Sequence, residues 1–150
     1  MAKIDLSPWR IPYATKFRLD EFDTTPPDEL MFDDDELKHH QTKLEDKLNK
    51  LQSLLYSSKS KAVLLILQGM DTSGKDGVIR HVFSHVSPLG MHAIAFGAPT
   101  EVELRHDFLW RIHNKLPALG DITIFNRSHY EDVLVTRVRG MIDKATCEKR

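Results

Sequence analysis

The hydrophobic pattern predicts a long amphipathic helix ahead of a sheet-forming region. Between residues 37 and 56, lysines and glutamates separate four leucines at spacings of four, three and four: Leu44, Leu48, Leu51 and Leu55. This spacing places the leucines on one face of a helix, which either packs against its own chain or forms a short coiled coil. We favour packing within the chain because the stripe is short for a coiled coil.

Strands and helices are predicted to alternate after this helix. The aliphatic run at residues 62–68 is continuous and is followed by a glycine, so it predicts a central parallel strand buried on both faces. The segments that follow predict a helix, a strand, a second helix and a third strand: residues 78–86, 91–96, 101–116 and 122–125. This alternation indicates a layered α/β fold with a parallel sheet.

Prolines and an acidic run set the first part of the chain apart. Prolines interrupt helix formation there, so residues 1–36 are predicted to form an N-terminal arm and residues 37–150 the core domain. Acidic side chains are favoured at the positive end of a helix dipole. We therefore interpret the acidic run as a solvated loop that leads into the first helix: Asp33, Asp34, Asp35 and Glu36.

The composition excludes several classes of protein. The 150 residues carry 21 basic and 22 acidic side chains, a net charge of −1, so no global attraction to nucleic acid or to a membrane is expected. The lone cysteine, Cys147, cannot form an internal disulfide, which excludes the disulfide-stapled secreted classes. The first residues lack the apolar run of a signal peptide, and we expect a cytoplasmic protein.

The segment between the first predicted strand and the next helix carries the clearest chemical signal. It fits the pattern G-x-x-x-x-G-K and reads Gly69, Met70, Asp71, Thr72, Ser73, Gly74, Lys75, Asp76, Gly77. Glycines let consecutive backbone N–H groups turn inward, the start of a helix adds partial positive charge, and Lys75 supplies a full charge. The pattern therefore predicts a loop that binds phosphate groups.

Two acidic residues distinguish this loop from the usual pattern. Asp76 stands where Ser or Thr normally holds magnesium, and Asp71 lies inside the cradle, where a carboxylate repels phosphate. Asp71 can serve there as the ligand of a divalent cation, as a group that orients an acceptor phosphate, or as the cap of a turn. We favour the metal ligand because a polyphosphate needs charge neutralisation.

A second polar segment follows the third predicted strand. Parallel sheets bind ligands at the carboxyl ends of their strands, so residues 126–132 are expected to face the loop. Arg127 can pair with phosphate through two N–H groups, and Glu131 and Asp132 are carboxylates for a cation or for orienting a nucleophile. Ser128 can also cap a helix together with Glu131.

These stretches resemble the polyphosphate kinase 2 family. The loop is specific because its internal Asp and its Lys-Asp-Gly ending are unusual among phosphate-binding loops. The stretch after the third strand is similarly specific, and it reads Phe125-Asn126-Arg127-Ser128-His129-Tyr130-Glu131-Asp132-Val133-Leu134. The likeness includes residues 107–111 and covers most of residues 37–140. It is to the branch that phosphorylates both nucleoside mono- and diphosphates.

The resemblance implies a fold and a reaction. The fold is a three-layer α/β/α P-loop kinase fold with a parallel sheet, close to thymidylate kinases. The reaction is phosphoryl transfer between inorganic polyphosphate and AMP, ADP or ATP, with Mg²⁺ as cofactor. We also expect a homo-oligomer.

The resemblance also implies roles for particular residues. Asp71, Lys75 and Arg127 take the catalytic positions. Phosphate or nucleotide contacts are expected from Gly69, Met70, Thr72, Ser73, Gly74, Asp76, Gly77, Arg111, Ser128, His129 and Tyr130. Taken by itself, Arg111 either reaches a ligand or is a surface charge. The metal ligands are expected among Asp71, Asn126, Glu131 and Asp132, since Asn126 stands where other branches carry Asp.

Two departures from the family keep other functions open. Gly97 stands where relatives carry a lysine. The chain also reaches Arg150 without the lid arginines and further strands of family members, so we expect an incomplete sheet. The alternatives are an ATP-dependent nucleotide or small-molecule kinase, and a truncated module that binds phosphates without catalysis.

Overall fold

The computed structural model describes residues 7, 10, 11, 18–21, 25, 31 and 33–150. The chain divides into two compact units, Met1–His39 and His40–Arg150. Much of the predicted N-terminal arm lies outside the described residues. Within that arm, Leu19–Glu21 forms a short 3-10 helix, and an exposed ion pair joins Arg18 to Asp20 at 2.6 Å.

The first long helix, α1, spans Asp34–Ser58 and so begins three residues before the predicted start at residue 37. The Asp33 carboxylate accepts hydrogen bonds from the backbone N–H groups of Asp35 at 3.0 Å and Glu36 at 2.8 Å. Such N–H groups have no partner within the helix, so this contact stabilises its first turn. The acidic side chains are exposed at the positive end of the helix dipole. The acidic run is solvated as expected, but the prediction that it forms a loop is wrong for Asp34, Asp35 and Glu36, which form the first turn of α1.

The C-terminal half of α1 packs on its own chain through two amide side chains. Buried Gln52 donates to the backbone carbonyl of Leu89 at 2.5 Å, and Asn49 accepts from the N–H of Ser87 at 3.2 Å. The prediction of packing within the chain is thus confirmed, but the packed face is centred on these amides. Two leucines of the predicted stripe are exposed instead: Leu44 and Leu51.

The described residues form a sheet of three parallel strands in the order β1, β3, β2. These strands span Val63–Leu67 for β1, Met91–Ala95 for β2 and Ile122–Asn126 for β3. β3 pairs with both neighbours along its whole length, so Leu67 and Ala95 both lie opposite Asn126. The predicted α/β fold with a parallel sheet is confirmed.

Short helices connect and follow these strands. They are α2 at Lys75–Phe83, α3 at Trp110–His113, α4 at Leu134–Val138 and α5 at Lys144–Lys149, with 3-10 helices at Glu103–Arg105 and His129–Asp132. Across the described part of the chain, every helix is too short or too polar to cross a bilayer.

The prediction that the first strand is central is wrong within the described sheet. β1 is an edge strand there, and three of its apolar side chains are exposed: Val63, Leu64 and Ile66. β3 is the central strand, and its Ile124 and Phe125 are almost completely buried. An apolar run indicates burial, but the order of parallel strands depends on contacts between distant segments.

The helix predicted over residues 101–116 is broken. The Asp107 carboxylate accepts from the N–H of Leu109 at 2.9 Å, and its backbone carbonyl accepts from Trp110 at 2.9 Å, so a new helix begins at Trp110. Asp competes with regular helical bonding through local contacts of this kind. Within the predicted range, Glu103–Arg105 and Trp110–His113 are helical.

An aromatic core supports the carboxyl end of the sheet. The rings of Phe96 and Phe125 meet edge to face with centroids 4.8 Å apart. The core consists of Phe96, Phe125 and Ile112, with Ile94 and Leu109 packed against it. Because Phe125 directly precedes Asn126 and Arg127, this packing fixes the end of β3 from which the candidate site residues follow.

Candidate active site

The ends of β1 and β3 bring the two predicted segments side by side. Leu67 and Asn126 are partners in the sheet, and the Arg127 N–H donates to the Leu67 carbonyl at 2.9 Å. The glycine loop starts just after β1, and the polar segment starts directly after β3. Both segments therefore meet at the carboxyl edge of the parallel sheet, where such folds bind ligands.

The glycine loop turns tightly into α2. Gly74 caps α2 with φ of 91°, a left-handed conformation that glycine adopts without steric cost. Thr72 has φ of 64°, which is unusual for a β-branched residue. Gly69 meets a different constraint, because a Cβ there would lie 2.8 Å from Ser73 Oγ. The turn leads to the first N–H groups of α2, which lack helical partners and carry partial positive charge.

The Lys75 ammonium lies within the curl of this loop. It donates to the carbonyl oxygens of Gly69 at 2.9 Å and Met70 at 2.6 Å, and to Ser73 Oγ at 3.3 Å. All three partners are neutral dipoles. A phosphate oxygen is a stronger partner for an ammonium than a neutral carbonyl, so the side chain is available for an anion.

Two carboxylates of the loop are paired with donors from the end of β3. Arg127 Nη2 donates to Asp71, and the Asn126 amide donates to Asp76. Arg127 Nη1 also lies 3.6 Å from Glu131. Because the Asp71 side chain is 81% exposed, its pairing with Arg127 is screened by solvent and readily exchanged.

A cleft of about 660 Å³ lies between these groups. Its lining residues are Asp71, Thr72, Ser73, Gly74, Lys75, Asp76, Gly77, Ala95, Phe96, Gly97, Asn126 and Arg127. The volume is in the usual range for small-molecule sites. The cationic side chains of this lining are Lys75 and Arg127. Because the net charge of the chain is only −1, attraction of an anion depends on these two side chains and not on the charge of the whole chain.

Five other residues predicted to contact phosphate or nucleotide are not part of the cleft lining: Gly69, Met70, Ser128, His129 and Tyr130. Gly69 and Met70 contribute their carbonyls to Lys75, and the Met70 side chain is exposed. Fully buried Ser128 caps the 3-10 helix by accepting from the Tyr130 N–H at 3.2 Å, whereas the Glu131 side chain, the other half of the predicted cap, bonds to Gln68 instead. The rings of His129 and Tyr130 stack with centroids 4.6 Å apart.

Arg111 and Asp132 form a buried ion pair away from the cleft lining. Arg111 Nη2 lies 3.1 Å from Asp132, and Nη1 donates to the Gly97 carbonyl at 2.9 Å. Arg111 is therefore neither a cleft residue nor a surface charge in this structure. Glu103 lies 4.0 Å from the guanidinium, and a hydrogen bond from the Thr100 backbone holds its pKa below the ordinary value.

The predicted metal ligands are not gathered into a ready-made site. Among the described residues, no group of three or more His, Cys, Asp or Glu side chains is arranged for a metal. Asp71 and Asn126 line the cleft, whereas Glu131 bonds to Gln68 and Asp132 to Arg111. Magnesium is commonly held by one or two carboxylates together with substrate phosphates, so the cleft side chains suit it without a full protein cage.

Sequence reasoning misses three residues of this region. Ala95 and Phe96 line the cleft at the end of β2, where the apolar pattern predicts only a strand. Gln68 contacts both Ser128 and Glu131. Its signal in the sequence is a polar side chain at the end of an aliphatic run, directly before the glycine loop.

A glycine loop between a parallel strand and a helix, with a lysine as the first helical residue, is the architecture of P-loop kinases. Solved structures agree with that class. The crystal structure of polyphosphate kinase 2 from Arthrobacter aurescens TC1 matches with a TM-score of 0.85 and 38% identity, over 95% of this chain and 52% of that chain. A putative polyphosphate kinase 2 from Pseudomonas aeruginosa PA01 matches with a TM-score of 0.72 and 31% identity, over 79% of this chain and 26% of that chain.

Sequence comparison identifies the family. Residues 31–150 match polyphosphate kinase 2 (PPK2), and the chain belongs to this family. An AMP/ADP-polyphosphate phosphotransferase of Meiothermus ruber is 51% identical over 107 residues, which are 71% of this chain and 40% of that protein. An ADP-polyphosphate phosphotransferase of Rhodopseudomonas palustris is 55% identical over 93 residues, 62% of this chain and 32% of that protein. The chain thus spans less than half the length of these relatives.

These matches confirm the resemblance and the P-loop kinase fold. The individual roles given to Asp71, Lys75 and Arg127 stay predictions, supported by their common position at the cleft.

Proposed function

We propose that the chain contributes to magnesium-dependent phosphoryl transfer between inorganic polyphosphate and AMP or ADP. The observation that carries this proposal is the cleft at the carboxyl ends of β1 and β3, with the Lys75 ammonium and the Arg127 guanidinium on its lining. Relatives named as AMP/ADP- and ADP-polyphosphate phosphotransferases support the choice of donor and acceptor.

Lys75 and the loop hold the phosphates in this proposal. The ammonium exchanges its carbonyl partners for phosphate oxygens, and the N–H groups at the start of α2 add further donors. Both groups lie on one continuous strand–loop–helix unit, so they position the phosphate chain before reaction. Positioning and electrostatics supply most of the rate enhancement in phosphoryl transfer.

Arg127 and Asp71 neutralise each other before substrate binds. When a phosphate chain enters, Arg127 exchanges the exposed Asp71 carboxylate for phosphate oxygens, and it then stabilises the charge of the transferring group. This exchange frees Asp71 to hold a cation, together with the side-chain oxygen of Asn126. Magnesium, when bound, neutralises charge on the phosphate oxygens.

The transfer needs no acid or base from the chain. An ionised phosphate oxygen of AMP or ADP attacks the terminal phosphorus of polyphosphate, and the bond to the next bridging oxygen breaks as the new bond forms. The shortened polyphosphate leaves with its negative charge. This chemistry agrees with a cleft that presents cationic groups and backbone dipoles.

The test is a donor comparison on the purified chain. We expect AMP and ADP to be phosphorylated with polyphosphate and magnesium, and Lys75→Ala to abolish turnover. Lys50→Ala, at an exposed lysine of α1 outside the cleft lining, is the matched control and should behave as wild type. Turnover with ATP alone would favour an ATP-dependent kinase and contradict the proposal.

Phosphate binding without turnover is the second candidate. It is favoured by the lining of the cleft, where the described cationic side chains are Lys75 and Arg127 and few positive groups are therefore available to stabilise a transferring phosphoryl group. Tight binding of tripolyphosphate with no product from AMP or ADP would select it. The expected homo-oligomer and cytoplasmic location stay predictions, and light scattering on the purified protein measures the first.

A further inference from the structure

Gln68 links the two segments that form the cleft. It stands between β1 and the glycine loop, and its carboxamide bonds at both ends to the segment after β3. Its oxygen accepts from Ser128 Oγ at 3.1 Å, and its nitrogen donates to Glu131 Oε1 at 2.7 Å. One side chain thus uses a donor and an acceptor at once.

The partners fix the direction of this carboxamide. A carboxylate only accepts hydrogen bonds, so the nitrogen of Gln68 must face Glu131. Ser128 Oγ already accepts from the Tyr130 N–H at 3.2 Å, which leaves its hydroxyl proton for the Gln68 oxygen. Every group in the chain of contacts has its complementary partner, and Ser128 is fully buried.

Glu131, which Gln68 holds in place, in turn contacts Arg127. Its Oε2 lies 3.6 Å from Arg127 Nη1, and its side chain is only 15% exposed. Arg127 is also fixed at its backbone, where its φ of 66° is uncommon for a residue other than glycine and its N–H bonds to Leu67. The backbone contacts leave the long side chain of Arg127 free to move. Apart from Glu131, this side chain contacts Asp71, which is mostly exposed.

We propose that Gln68 is a positioning residue for Arg127: its carboxamide holds Glu131, and Glu131 holds the guanidinium at the edge of the phosphate cleft. The role in transfer rests on the proposed function, whereas the contact chain does not. Glu131 is then a partner of Arg127 that remains when substrate draws the guanidinium away from Asp71. The same contacts engage both carboxylate oxygens of Glu131.

Reciprocal substitutions at residues 68 and 131 test directly whether the contact between Gln68 and Glu131 positions Arg127. Gln68→Glu places two carboxylates in contact, and Glu131→Gln removes the negative partner of both neighbours. The double variant restores a donor and an acceptor with the direction exchanged. Gln41→Glu is the matched control, because Gln41 makes the same 2.7 Å contact to Glu45 on exposed α1. We expect each single variant to lower kcat about ten-fold or more, the effect of one hydrogen bond to a charged group, with KM for polyphosphate changed much less.

Recovery in the double variant separates positioning from a general loss of stability. We expect it to regain part of the kcat lost in Gln68→Glu, because the contact between residues 68 and 131 is restored while Arg127 faces a neutral carbonyl in place of a carboxylate, and the control variant should equal wild type. Single variants as active as wild type, or a double variant no better than the weaker single, would overturn the role given to Gln68.

Side-chain NMR of arginine provides a readout that needs no turnover. A guanidinium held at fixed partners rotates slowly, so we expect separate Nη signals for Arg127, assigned by their loss in Arg127→Lys. Gln68→Met should merge these signals, and unchanged signals would overturn the proposal. If wild type transfers no phosphoryl group, the proposed function fails, and the NMR comparison still decides whether Gln68 positions Arg127.

Discussion

Replacing Asp132 by alanine should destabilise the chain by about 2–3 kcal/mol, because it leaves the Arg111 guanidinium buried with one partner fewer. The side chains of this ion pair are 6% and 12% exposed and lie 3.1 Å apart. Solvent therefore cannot replace the lost carboxylate without a rearrangement of the core.

The magnitude follows from the partners that remain. Removal of one partner from a buried ion pair typically costs about 3–5 kcal/mol. Arg111 keeps the Gly97 carbonyl at 2.9 Å and the more distant Glu103 at 4.0 Å, so the cost should fall below that range. For a domain of this size, each kcal/mol shifts Tm by about 2–4 °C, which gives a loss of about 4–12 °C.

Calorimetry on wild type, Asp132→Ala and three further variants measures this loss. Asp132→Asn keeps one acceptor and should lose about half as much as Asp132→Ala. Glu148→Ala breaks the exposed pair with Lys144 and should leave Tm almost unchanged, because surface ion pairs contribute little. Arg111→Met combined with Asp132→Leu should recover part of the lost Tm, because two apolar side chains can be buried without a partner of opposite charge.

The same experiment decides between the two roles considered for Asp132. A Tm of Asp132→Ala within about 1 °C of wild type, combined with weaker magnesium binding, would refute the reasoning and restore the metal role expected from the sequence.

Three further predictions test other parts of the account. Lys75→Met should weaken tripolyphosphate binding about 10- to 100-fold by calorimetric titration, the loss of a charge-assisted bond, without lowering Tm; unchanged affinity would contradict the role of the ammonium. Phe125→Ala should cost about 3–5 kcal/mol in urea unfolding, because the ring is fully buried against Phe96; a cost under about 1 kcal/mol would contradict the core assignment. Hydrogen bonds from Thr146 hold the pKa of the Asp143 carboxyl below its ordinary value. This cap therefore stabilises α5 at pH values above the ordinary carboxyl pKa, and the stabilisation is lost as pH falls through the lowered pKa. The Thr146 amide signal in NMR should shift over the same pH range, and Asp143→Asn should remove the pH dependence.

The strand, glycine loop and helix could be predicted from the sequence because their signals are local. The aliphatic run, the glycine at residue 69 and the lysine at the start of α2 lie within 14 consecutive residues, 62–75. The meeting of this loop with Arg127 also follows, because the carboxyl ends of parallel strands share one edge.

Strand order could not be predicted, because it depends on pairing between distant segments. The run at β1 is longer than the run at β3, yet β3 has neighbours on both sides. The break before α3 has a local cause, the side chain of Asp107, but a helical pattern gives no measure of how strongly that side chain competes.

The partners of the charged residues were the least predictable part of the site. Arg111 and Asp132 are 21 residues apart, and their pairing depends on how the segment after β2 packs against the segment after β3. Glu131 and Asp132 are adjacent in the sequence but have separate partners, Gln68 and Arg111. Residue type predicts a charge, whereas only packing determines which opposite charge lies beside it.

The location of bound polyphosphate is the most direct test of the central claim, that the loop amides, Lys75 and Arg127 together hold a chain of phosphates. Crystals of the chain soaked with tripolyphosphate and magnesium should show phosphorus density in the cleft, within hydrogen-bonding distance of Lys75 Nζ and the Arg127 guanidinium. An empty cleft at saturating ligand, with phosphates bound elsewhere on the surface, would contradict the account.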